Sequence, residues 1–108
     1  MTDCVLVLTT VPVTDRGGAI GRTLVEERLA ACVSALPPMG STFRWQGTVT
    51  DDAEQQLVIK TLRSQLPALE RRLKELHPYD VPEFLVIEVI HGSSSYLAWV
   101  SENVGEGR

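Results

Sequence analysis

The stretch 4-CVLVLTTV-11 constrains this chain most. It is short, almost wholly apolar and rich in β-branched residues, and it does not alternate with polar positions. Such a run reads as a strand buried on both faces. A strand of that kind needs a neighbour on each side and cover above and below. The rest of the chain must therefore supply more sheet and the helices to lie on it. Pro12 ends the run, and Thr14 is placed to cap a following helix, with Asp15 favourable in its first turn.

That helix is predicted through 17-GGAIGRTLVEERLA-30. Ile20, Leu24, Val25 and Leu29 form its apolar stripe, while Glu26, Glu27 and Arg28 face water. A second strand is predicted from about Ala31, interrupted by Pro37, Pro38 and Gly40 as an edge strand with a bend would be. It resumes as 41-STFRWQG-47. Gln46-Gly47 suits a tight hairpin turn, and the return strand is polar at first (48-TVTDDAEQQ-56) and apolar later (57-LVIKTL-62). Ser64 is placed to cap the next helix, Pro67 fits its first turn, and Leu66, Leu69, Leu73 and Leu76 recur at helical spacing. A strand over 83–92 and a short helix over 95–103 complete the order. β-α-β-β-α-β plus a terminal helix is the ferredoxin-like, split-βαβ order of an α+β fold. Residues 1–108 read as one domain. The two main helices cover one sheet face, so the other face requires a partner, and an oligomer is expected from topology alone.

Charge and composition narrow the function classes. The 108 residues carry a net charge of -4, which argues against a nucleic-acid partner, because that binding mode needs clustered Lys and Arg. No apolar run approaches the length of a membrane span. The start MTDCVLVLTT lacks the basic region of a signal peptide. Cys4 and Cys32 stand apart in apolar surroundings, as buried thiols in a reducing compartment do. A cytoplasmic protein is expected.

Catalytic patterns are absent. The run 17-GGAIG-21 opens a helix after a strand but lacks the spacing of a phosphate-binding loop, and close helix–sheet packing is the preferred reading. Ser93, Ser94 and Ser95 follow His91 closely, yet helix capping explains them better than a nucleophile–base set. An acyl phosphate hydrolase of this topology would need an arginine cradle and an assisting asparagine, and the only asparagine is Asn103 near the C-terminus. No enzyme is expected. His77, in 75-ELHPYDVPE-83, is either a cap complementing a helix dipole or one ligand of a metal site shared between copies. Trp45 and Arg44 beside the hairpin turn are candidate interface anchors.

The segments 25-VEERLAACV-33, 43-FRWQG-47, 58-VIKT-61, 77-HPYDVPE-83 and 96-YLAW-99 together resemble the CutA family of divalent-cation tolerance proteins. The resemblance runs from the first strand to the last helix. It implies a homotrimer with sheets packed around a three-fold axis, hairpins reaching neighbouring subunits, and an architecture similar to the PII-type signalling trimers. It implies a role in the response to metal ions, with copper or another divalent cation as a weak ligand and no obligatory cofactor. Some members have a cysteine at the position of Thr9 and a second histidine at that of Leu76, so His77 is the metal candidate left here. Arg44, Trp45, Lys60, Tyr79 and Glu83 are the polar residues expected to line an intersubunit cleft, with Glu83 a candidate partner for Lys60. The readings left open are a cation-tolerance trimer, a PII-like sensor holding an anionic ligand through Lys60 and Arg44, and a trimer that serves only as a scaffold or adaptor.

Overall fold

The computed structural model describes residues 2–14 and 16–106, the side chains at 16 and 17 excepted. Asp15, expected in the first turn of the first helix, lies outside the described residues. Strand β1 spans Cys4–Pro12 and lies between two antiparallel neighbours. On one side is β4, Thr48–Leu62, in a register from Cys4↔Leu62 to Pro12↔Glu54. On the other is β5, Leu85–Glu88, from Val5↔Glu88 to Leu8↔Leu85. The predicted break at Pro37 and Pro38 divides the next strand into β2, Cys32–Ala35, and β3, Met39–Trp45, and both pair with β4. The β3–β4 turn is as expected. Gln46 and Gly47 both take positive φ, 50° and 81°, the backbone of a two-residue turn whose twist matches its strands.

Period-two alternation divides the sheet into two unlike faces. Val7, Val11, Leu57 and Ile59 point to one face. There they meet Ile20 and Leu24 of α1, Arg16–Glu26, and Leu69 and Leu73 of α2, Leu66–Leu76. Leu66 and Leu76 pack against the margin of this core, as their helical spacing predicts. Gly21 earns its place by closeness: a Cβ there would come within 3.1 Å of Val33, so the packing reading of the glycine run holds at this position.

The second face is not bare, as the topology alone suggested. Helix α3, Ser94–Glu102, packs at its Cys4 end, where Val100 and Val104 join Cys4 and Ala31 in a small separate cluster. The Ser93 hydroxyl accepts from Tyr96 N–H, so a serine does cap this helix. Towards β5 the sheet is uncovered. Leu85, Val86, Ile87 and Glu88 are all exposed, and Leu85 is 56% exposed.

Four local expectations differ from the structure. Val25 is 39% exposed, because it lies at the groove between α1 and β2, beside Val33 and Ala35, while Leu24 before it takes the core position. Arg28 is no solvated helix residue. It takes φ 62° just past the helix end, and its guanidinium donates to the carbonyls of Gly105 (2.6 Å) and Glu102 (2.8 Å). Ser64 caps nothing, since the chain enters α2 through a 3₁₀ turn at Arg63–Gln65 and Gln65 stands at the helix start without a side-chain bond. β5 is four residues long rather than ten, because its partner β1 begins at Cys4, opposite the residue after Glu88.

Candidate functional site

The polar residues of the second face concentrate where α2 hands over to β5. Pro78 disfavours helix for the residue before it, and His77 accordingly closes α2 in an extended conformation, φ -81° and ψ 136°. This turns its ring inward. His77 is 7% exposed, and its Nε2 lies 2.8 Å from the carbonyl oxygen of Thr10 on β1. A carbonyl only accepts, so Nε2 carries the proton and donates. Nδ1 then has a free lone pair, which accepts the Tyr79 backbone N–H at 3.1 Å. The ring is therefore neutral with both nitrogens engaged. Burial pushes its pKa below the ordinary histidine value, against the opposing pull of the Thr10 carbonyl and the Glu54 carboxylate. A charged cap on the helix dipole is not what this histidine supplies.

Tyr79 extends the network. Its ring packs on His77 at 4.8 Å between centroids, and its hydroxyl donates to Glu54 Oε2 at 2.7 Å. Burial raises the Tyr79 pKa first, and the bond to Glu54 raises it further. Glu54, 7% exposed, sits on β4 where it faces both Pro12 of β1 and Met39 of β3. Two residues on, and so on the same face, Gln56 donates from Nε2 to the Thr9 carbonyl (2.8 Å) and to Glu83 Oε1 (3.0 Å). The joint after α2 and the stem of the hairpin are thus tied by one chain of hydrogen bonds.

The candidate residues divide into three places. His77, Tyr79 and Glu83 come together in this cluster. Lys60 lies elsewhere on the same sheet face, six residues along β4 from Glu54, roughly 20 Å at strand rise. Its ammonium stands 5.8 Å from the Tyr96 ring centroid. Glu83 is engaged by Gln56, so the expected Lys60–Glu83 pair is not formed. Arg44 and Trp45 are at the hairpin tip, where Arg44 donates to the Gly47 carbonyl at 3.4 Å and Trp45 is 47% exposed. Within one chain Arg44 and Lys60 do not share a site. Glu54 and Gln56 are the members that sequence reasoning missed. Their signal was present in the polar start of β4, where period two puts them on the face opposite Leu57 and Ile59, but their address depends on the β1–β4 register.

Metal chemistry can be tested against these donors. Among the described residues no three His, Cys, Asp or Glu side chains are grouped to hold an ion. Nδ1 of His77 could reach a metal only by giving up the Tyr79 N–H. Cys4 is buried and Cys32 half-buried, both as free thiols, and burial raises the Cys4 pKa. A single chain does not offer the four-donor set of a closed structural site.

The family model described as "CutA1 divalent ion tolerance protein" matches residues 5–103. The chain is 46% identical to the divalent-cation tolerance protein CutA of Thermus thermophilus, over 93% of this chain and 97% of that protein. It is 37% identical to a chloroplastic CutA protein of Arabidopsis thaliana, over 92% of this chain but only 54% of that longer protein. The crystal structure of CutA from Xylella fastidiosa superposes with a TM-score of 0.93 at 41% identity, over 96% of this chain and 100% of that one. No helix among the described residues is long and apolar enough to cross a membrane, and the chloroplastic relative shows that the fold is not tied to one compartment. By the extent of the family match and by these identities, the chain belongs to the CutA1 divalent ion tolerance family.

Proposed function

We propose that this chain works as a cytoplasmic homotrimer in divalent-cation tolerance, without catalysing a reaction, and that the His77–Tyr79–Glu54–Gln56–Glu83 cluster walls a cleft between subunits. The observation that carries the reading is β5. Its residues Leu85, Val86 and Ile87 are exposed on both faces of the sheet, at 56%, 41% and 44%, and its outer edge is unpaired. A four-residue apolar edge strand left this way is a site of association. The number three and the PII-like arrangement follow from the family resemblance.

In this reading a divalent cation, Cu(II) or another, is a weak and conditional ligand, and no cofactor is obligatory. Carboxylate oxygens of Glu54 and Glu83 stand at the cleft wall. His77 adds an imidazole nitrogen, which suits Cu(II) and Zn(II), when Tyr79 N–H releases it. Donors from a neighbouring chain would complete the set. A second reading is favoured by Lys60, a half-buried ammonium placed over an aromatic ring rather than against a carboxylate. It would attract a small anionic ligand, with Arg44 of a neighbouring hairpin as the second cation.

Calorimetric titration with Cu(II) and Zn(II), comparing the native chain with His77→Ala and Glu54→Gln, tests the first reading. Binding by the native chain that both substitutions weaken is the expected result. Native binding that neither substitution alters removes the cluster from the ligand set. A stabilising anionic metabolite whose effect is lost in Lys60→Ala would favour the second reading instead.

A further inference from the structure

We propose that the second sheet face binds a small aromatic carboxylate, with the Lys60 ammonium taking the carboxylate and Tyr96 and Trp99 taking the ring. The proposal rests on the reading of Lys60 as an anion site and deepens it by naming the ligand class. Lys60 lies in an apolar stretch of β4, directly opposite Leu6 of β1 and Cys32 of β2. An aliphatic residue would fill that place without the cost of drawing an ammonium partly out of water. The half-buried arginines are satisfied within the chain. Glu27 and Glu75 hold Arg72, and two carbonyls hold Arg28. The sequence has 14 acidic residues, yet among the described residues none forms an ion pair with Lys60.

Helix α3 sets an aromatic wall beside this ammonium. Tyr96 lies in its first turn, with its ring centroid 5.8 Å from Lys60 Nζ. Trp99 is three residues on, and so on the same side of the helix. Its ring packs 5.5 Å from that of Tyr96, at 34°. Leu97 and Val100 take the sheet-facing positions of the helix, which leaves Tyr96 and Trp99 each 42% exposed. On the other side of Lys60, Cys32 and Ser34 are half-buried on the same face of β2. The Cys32 thiol stands 3.8 Å from the Ser34 hydroxyl, and that hydroxyl is a donor that an anion beside Lys60 can use.

An ammonium and an aromatic wall side by side select a ligand that complements both. A carboxylate gives Lys60 the charge-assisted hydrogen bond that the chain itself does not supply. A planar ring gains offset stacking on Tyr96 and Trp99, which is worth more than the burial of its area alone. The ammonium and the nearer ring centroid are 5.8 Å apart, so the carboxylate belongs on a short arm from the ligand's ring. One ammonium and one hydroxyl suit a monoanion. A phosphate carries more charge and three acceptor oxygens, and this donor set would leave part of it unmet.

Calorimetric titration of the native chain with phenylacetate tests the proposal, beside cyclohexylacetate, phenylacetamide and inorganic phosphate. Phenylacetate should bind about fivefold more tightly than cyclohexylacetate, which lacks the aromatic ring. It should bind about tenfold more tightly than phenylacetamide, which lacks the charge. Lys60→Met should reduce phenylacetate to the level of phenylacetamide, and Lys60→Arg should retain its binding. Tyr96→Leu and Trp99→Leu should each reduce it towards the level of cyclohexylacetate. The ligand comparison on the native chain decides the class where a substitution prevents folding. If no anion binds, or if Lys60→Met binds them as the native chain does, the anion reading of Lys60 itself fails. Binding through Lys60 that is equal for the two carboxylates, or unaltered by both ring substitutions, keeps that reading and overturns the aromatic class. Phosphate binding more tightly than phenylacetate overturns the carboxylate assignment. A native assembly that dissociates in Tyr96→Leu or Trp99→Leu gives the wall to a second copy and overturns the proposal too.

Discussion

The Tyr79 hydroxyl donates to Glu54 Oε2 at 2.7 Å, and this bond joins the end of α2 to the stem of the hairpin across 25 positions of chain. Glu54 is 7% exposed, and this hydroxyl is the donor that meets its carboxylate inside the fold. Tyr79→Phe removes the donor and leaves the carboxylate in place. The expected loss is roughly 1.5–3 kcal/mol, the range for a hydrogen bond to a charged group. It would be read as a lower denaturant midpoint at unchanged slope. A midpoint equal to the native one would show that water serves Glu54 as well as Tyr79 does.

The neutral ring of His77 makes stability depend on pH in a defined direction. Its folded pKa lies below the ordinary value of 6.5, so below about pH 6.5 the unfolded chain binds a proton that the folded chain resists. The contribution of His77 is fully present above that pH. It falls as pH drops from there towards the depressed folded pKa. His77→Gln keeps a donor for the Thr10 carbonyl and an acceptor for Tyr79 N–H but does not titrate. The stability difference between native and variant should shrink with acidification across this window. A constant difference would mean that the ring takes up its proton equally in the folded and unfolded chain, so that burial does not shift it.

Thr9 is fully buried on the helix-covered face, and its hydroxyl has no hydrogen-bond partner among the described residues. Valine has nearly the same shape without the polar atom. Thr9→Val should stabilise the chain by about 1 kcal/mol, the low end of what an unsatisfied buried hydroxyl costs. Thermal unfolding at fixed protein concentration would show a rise in midpoint, and a fall would place a partner on that hydroxyl.

Arg28 combines a left-handed backbone with a side chain that holds two C-terminal carbonyls. Arg28→Ala loses the two bonds and keeps the strain. Arg28→Gly loses the same bonds and relieves the strain, which amounts to about 1 kcal/mol at such a position. Both variants should be less stable than the native chain, with the glycine variant the better of the two by about that amount. Equal stabilities would contradict the strain.

What the sequence made legible was local. The Gln46-Gly47 turn, the leucine stripe of α2, the serine cap of α3 and the break at Pro37 each depend on a few neighbouring residues, and each was read correctly. The limits appear where distant segments decide. Val25 fits the helical stripe, but it falls at the open groove between α1 and β2, so its burial is set by how the helix lies on the sheet edge. Arg28 reads as a surface charge until the C-terminal carbonyls arrive beside it. His77 reads as a charged cap until Pro78 turns its ring onto β1. Glu54 and Gln56 read as a polar hairpin stem, and only the pairing of Pro12 with Glu54 brings them to Tyr79 and Glu83. The site is a product of register, and register is not written in any one segment.

The central claim is that the exposed strand β5 is covered by copies of the same chain. Mass in solution by light scattering tests it most directly, with Leu85→Glu/Ile87→Glu as the comparison. The native chain should run at three times its 11.9 kDa mass, and the double variant should fall towards one. A native chain that stays folded at 11.9 kDa across the accessible concentration range would contradict the account.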